Sequence, residues 1–88
     1  MTHTIYLETR NRPAALERLL RVTRHRGFKI ESLQMETADK PSVLNIWVTL
    51  KGARPIHTLA HQLKKLVDVN TVTVGEKQAM SVYNLSVG

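Results

Sequence analysis

The chain has 88 residues, no cysteine, and 13 basic against 7 acidic side chains, giving a net charge of +6. That length holds one domain with a thin core, and the missing cysteines exclude disulfide staples and thiolate metal sites, which leaves association with another chain as the common source of extra stability. No stretch approaches the roughly 20 apolar residues of a membrane span, and Met1-Thr2-His3-Thr4-Ile5 has neither the basic nor the apolar region of a signal peptide, so a cytoplasmic location is expected.

From His3 to Thr9 the chain alternates, with Ile5 and Leu7 on one side and Thr4, Tyr6 and Glu8 on the other, the pattern of a half-buried strand. Asn11 and Pro13 mark a helix start, Asn as a cap and Pro as a first-turn residue. Leu16, Leu19, Leu20 and Thr23 form its apolar stripe, Glu17 and Arg21 are spaced for an ion pair, and Gly27 is a left-handed stop.

Phe28 to Ala38 reads as a second strand whose phase slips, and a bulge near Glu31-Ser32 restores Phe28, Ile30, Leu33 and Met35 to one face. Asp39-Lys40-Pro41-Ser42 is a turn. Val43 to Leu50 is the third strand, with Leu44, Ile46, Val48 and Leu50 facing one way and Trp47 the other; the two strands make a hairpin. Pro55 opens a second helix with the stripe Ile56, Leu59, Ala60, Leu63 and either Leu66 or Val67. Asn70 to Val74 is a short last strand, ended by Gly75.

This order, β-α-β-β-α-β, predicts an α+β ferredoxin-like fold: a four-stranded antiparallel sheet with two helices on one face. The domain spans residues 1–76, and residues 77–88 form a C-terminal tail. Tyr6 and Trp47 project from the uncovered face, either as part of a contact surface or as two isolated aromatics.

No catalytic constellation is visible. There is no Cys nucleophile, no glycine-rich phosphate loop, and no Ser, His and acid set that stands out. His57 and His61 have metal-compatible spacing but lie off the buried stripe and lack a third ligand, so they read as solvated and no metal site is expected. Six of the seven arginines fall between Arg10 and Arg26, which is either a solvated helix face or a contact surface for an anionic partner.

An RNA-binding ferredoxin-like module is a minor alternative. The third strand lacks the basic-Gly-aromatic pattern of RNA recognition motifs, the first offers only Tyr6, and the arginines lie off the open sheet face. No nucleic-acid partner is expected, nor a membrane.

Arg24-His25-Arg26-Gly27-Phe28-Lys29-Ile30-Glu31-Ser32-Leu33 resembles the RG-aromatic-x-I-x-S-L signature of acetolactate (acetohydroxyacid) synthase small subunits. Gln62-Leu63-Lys64-Lys65-Leu66-Val67-Asp68-Val69 is similar to their Q-L-x-K-L-V-D-V segment, and Glu8-Thr9-Arg10-Asn11 running into Leu16 resembles their effector loop. The similarity runs from about Ile5 to Glu76, and the short length most resembles the isozyme II type.

The resemblance implies an ACT domain that pairs edge to edge as a homodimer through its second strand. It implies a non-catalytic subunit that activates an acetolactate synthase large subunit in valine and isoleucine biosynthesis. Thiamine diphosphate, Mg and FAD are expected in that partner and no cofactor in this chain.

It also places an effector loop at Asn11, Ala14, Ala15 and Leu16, with Lys29 and Ile30 as the second segment. Feedback-sensitive relatives carry Gly where Ala14 stands and Asn where Lys29 stands, so this loop is expected to be vestigial for valine. Arg18, Arg21, Arg24 and Lys64 are the expected partner-binding residues. A free-standing ACT amino-acid sensor is the main alternative, and a purely structural dimerisation module a further one.

Overall fold

A computed structural model describes residues 2–75. The elements are β1 (Thr2–Arg10), α1 (Pro13–His25), β2 (Lys29–Thr37), β3 (Val43–Lys51), α2 (Ile56–Lys64) and β4 (Val69–Gly75). They form one antiparallel sheet in the order β2-β3-β1-β4. The tail expected at residues 77–88 lies outside the described residues.

The core follows from alternation. Ile5 and Leu7 of β1 and Ile46, Val48 and Leu50 of β3 share one face, where they meet Leu19 of α1 and Leu59 and Leu63 of α2. Each such side chain contributes roughly 1.5–3 kcal/mol when fully buried. Thr23 is buried among them, and its hydroxyl donates to the Leu19 carbonyl at 2.8 Å, which satisfies it locally.

The α1 stop is as expected: Gly27 has φ +88°, its N–H bonds the Arg24 carbonyl, and the Phe28 N–H bonds that of Thr23. This paired closure uses two carbonyls that the helix end would otherwise leave open.

The expected bulge is present, as a register shift between Ile30 and Ser32. It sets Ile30, Leu33 and Met35 opposite Leu50, Val48 and Ile46, all on the core-facing side. Among the described residues β2 is an edge strand, and Met35 on it is 45% exposed.

Three expectations need correction, and one open alternative is decided. Asn11 is not the helix cap: Pro13 at the first helical position makes Arg12 the N-cap, and no side-chain cap bond forms. The α1 residues that bury fully are Ala15, Leu19 and Thr23, four apart, while Leu16 and Leu20 sit at the stripe's half-buried margin. Glu17 and Arg21 form no ion pair, for both side chains lie in solvent. At the end of α2 it is Leu66 that turns inward, whereas Val67 is 68% exposed.

Candidate functional site

The β1–α1 loop is clamped from both sides. Thr9 is paired with Val69 after a register shift in the β1–β4 ladder, and the next residue, Arg10, donates its N–H to the Asp68 carbonyl at 2.8 Å. Asn11 then donates twice to the β2–β3 turn: its backbone N–H to the Ser42 carbonyl and its Nδ2 to the Pro41 carbonyl, each at 2.8 Å. Beneath the loop the Asp68 carboxylate lies 4.0 Å from the Arg12 guanidinium and 3.8 Å from that of Arg18. The result is an open cavity of 350 Å³ lined by Arg10, Asn11, Arg12, Ser42, Val43 and Asn70.

The residues assigned to an effector loop separate into two groups. Ala14 is exposed, Ala15 buried and Leu16 half-buried, all at the end of the sheet where Arg10 faces Val43. Lys29 and Ile30 open β2 at the other end, where Lys29 faces Lys51. Val43 and Lys51 are the two ends of β3, about 26 Å apart at roughly 3.3 Å per residue. One chain therefore does not bring the two groups together.

The expected partner-binding residues also differ among themselves. Arg21 and Arg24 are exposed and, with His25, line a shallow 220 Å³ depression on α1. Lys64 is exposed in the last turn of α2. Arg18 is engaged with Asp68 inside its own chain.

On the open face Tyr6 and Trp47 are directly cross-strand, with ring centroids 5.2 Å apart and planes tilted by 38°. The Tyr6 hydroxyl donates to Asn45 Oδ1 at 2.9 Å, and Trp47 is only 9% exposed. They are a packed pair, which decides against the alternative of two isolated exposed aromatics. Tyr6 borders a 620 Å³ groove with Glu8, Glu36 and Asp39 on its walls. Desolvation, then the Glu8 and Glu36 charges, raise the Tyr6 pKa above its usual value. Carboxylates in this position repel a phosphate backbone, which weighs against RNA on this face.

The residue that sequence reasoning missed is Asp68, quoted in a motif but given no role. The available signal was its being the sole acid between Pro41 and Gly75, set between Val67 and Val69. An acid there needs a cationic partner to be buried. His57 and His61 are both exposed, and among the described residues no group of three or more His, Cys, Asp or Glu is placed to hold a metal.

The ACT domain family profile matches residues 11–72. The chain is 40% identical over 81 residues to the acetolactate synthase isozyme 2 small subunit of Escherichia coli K12, covering 92% of this chain and 93% of that one. This chain belongs to the ACT-domain family of acetolactate synthase small subunits. As such it is a regulatory module without a catalytic site of its own. A probable acetolactate synthase small subunit of Archaeoglobus fulgidus is 32% identical over 83 residues, 93% of this chain but 51% of that relative. The crystal structure of the Thermotoga maritima acetolactate synthase small subunit superposes with a TM-score of 0.76 at 24% identity, over 88% of this chain and 48% of that one. The chain thus spans about half the length of these two longer small subunits.

Proposed function

We propose that this chain binds and activates the thiamine-diphosphate-dependent large subunit of acetolactate synthase in branched-chain amino acid biosynthesis, and does so without inhibition by valine. The observation that carries this reading is the 40% identity, across 93% of its length, to a small subunit of that enzyme. Thiamine diphosphate, Mg and FAD belong to the large subunit in this reading, and the pair works in the cytoplasm.

Activation works by differential binding. A small subunit that docks on the active conformation of its partner better than on the slack ones shifts the population toward activity. Arg21, Arg24 and Lys64, exposed on the two helices, supply a basic face that an acidic patch complements.

A homodimer is part of the proposal. Among the described residues β2 is a nine-residue edge strand, and pairing with a second copy would satisfy its outward backbone groups. Antiparallel pairing sets a second copy's Lys29 end beside this chain's Thr37 end, the end at which Asn11 contacts Pro41. The two separated groups of effector residues would complete each other in that arrangement. Valine still fits poorly, because Ala14 adds a methyl group where close backbone approach is needed and Lys29 adds a cation beside the ligand's ammonium.

The test is acetolactate production by an isozyme 2-type large subunit with and without this chain, and with valine added. A saturable rise that valine leaves unchanged is the expected result. Without a rise, with the chain folded and in excess, the reading falls and a free-standing amino-acid sensor takes its place.

A further inference from the structure

The loop between β3 and α2 crosses the start of β2 at close range. A Cβ on Gly27 would lie 3.1 Å from Arg54 Nε and 3.3 Å from its Cδ, so the Arg54 side chain rests on the backbone that follows Arg26. Arg26 and Arg54 consequently line one cavity of 230 Å³, together with Phe28, Pro55, Thr58 and Leu59.

The composition of this lining is one-sided. It offers two guanidinium groups, one hydroxyl and an apolar wall of Phe28, Pro55 and Leu59, with no carboxylate. Neither arginine has a partner for its charge: the ion pairs among the described residues are those of Arg12 and Arg18 with Asp68. Both arginines are exposed and line the same cavity, so an anion seated in it is attracted by each. Guanidinium forks match a planar carboxylate through paired N–H donors, and the apolar wall suits a short hydrocarbon group. The first turn of α2 holds no acid, so the helix end adds positive potential without defining the site.

We propose that this cavity binds a small organic carboxylate carrying a short apolar group and no ammonium. A zwitterionic amino acid is excluded by the same one-sidedness, for its ammonium would enter beside two guanidiniums with no acid to receive it. Within one chain the site is separate from the β1–α1 loop, which lies at the opposite end of the sheet.

The test uses the full chain alone, so its outcome is independent of acetolactate synthase activation. 3-Methylbutanoate and valine differ by one ammonium group and make the probe pair, followed by NMR at the Thr58 amide and the Arg26 and Arg54 Nε–H signals. Saturable shifts with 3-methylbutanoate are expected, with valine at least about tenfold weaker. Arg26→Gln and Arg54→Gln should each weaken binding about tenfold, as for loss of a charged hydrogen-bond partner. Both residues are exposed, so the variants should fold, which circular dichroism checks; Arg54→Lys should fall between, and Asn11→Ala should bind as the parent does.

Linear, unsaturated shifts would overturn the proposal. So would equal binding by the Arg26→Gln/Arg54→Gln double variant, by valine, or by inorganic phosphate in place of the carboxylate. Absence of binding, combined with weaker large-subunit assembly in Arg54→Gln, would assign the arginines to an acidic side chain of the protein partner and equally overturn it.

Discussion

The Asp68 carboxylate lies 3.8 Å from the Arg18 guanidinium, with the acid 8% exposed and the arginine 47%. With Arg12 at 4.0 Å, it ties the start of α1 to the residue before β4. Because both arginines reach solvent, the pair is screened and its contribution is modest. Asp68→Asn should cost roughly 0.5–1 kcal/mol, about 2–8 °C in Tm for a domain of this size. The loss should shrink as salt is raised to 1 M, read by calorimetry across a salt series.

Gly52 is tied to Phe28 by shape. A Cβ at position 52 would come 2.8 Å from Phe28 Cδ1, a contact real side chains essentially never make, and the 4% exposed ring has little room to move. Gly52→Ala should therefore destabilise the chain by roughly 1–3 kcal/mol through overpacking. A urea midpoint equal to that of the parent would contradict this packing.

The raised Tyr6 pKa sets a pH dependence whose sign is fixed. As pH rises past the usual tyrosine value near 10, the unfolded chain releases the phenolic proton before the folded one does. Stability from this group is fully present below that value and declines as pH climbs toward the folded pKa. Tyr6→Phe should cost about 1 kcal/mol near neutral pH through the lost bond to Asn45. The gap between parent and variant should then narrow between neutral pH and pH values above about 10 in urea titrations.

The valine reading makes a gain-of-function prediction. Ala14 is exposed and Lys29 is exposed, so Ala14→Gly with Lys29→Asn should fold and should confer valine inhibition on the assembled enzyme. Dose–response curves for acetolactate production check it; a double variant as insensitive as the parent would remove those two positions from the explanation.

Met35, 45% exposed on β2, lies on the strand proposed to pair. Met35→Lys adds a charge to that strand, a common block to edge association. Sedimentation should show a dimer weakened by more than about tenfold, with the fold of each chain intact. Unchanged mass at equal concentration would move the interface elsewhere.

Much of this was legible along the chain. Alternation in Ile5-Leu7 and Leu44-Ile46-Val48-Leu50 gave the strands their phase, and the slip between Ile30 and Leu33 could be resolved only by a bulge, which is where the ladder shifts. Gly27 announced the end of α1, since few residues other than glycine accept φ +88°. The helix start misled because two good signals competed: Pro13 fixes the first helical position, which leaves Asn11 one residue too early to cap and free to bond Pro41.

Sequence by itself determined the order of elements, the faces they bury, the net basic charge and the family, because each depends on local periodicity, composition or a contiguous motif. Only the tertiary structure decided that Asp68 would lie between Arg12 and Arg18. It likewise joined Arg26 to Arg54 across one cavity, and set Lys29 at the opposite end of the sheet from Asn11. Those relationships join segments far apart in the chain, and strand order, register and two close glycine approaches set them together, none of which has a periodic signature of its own.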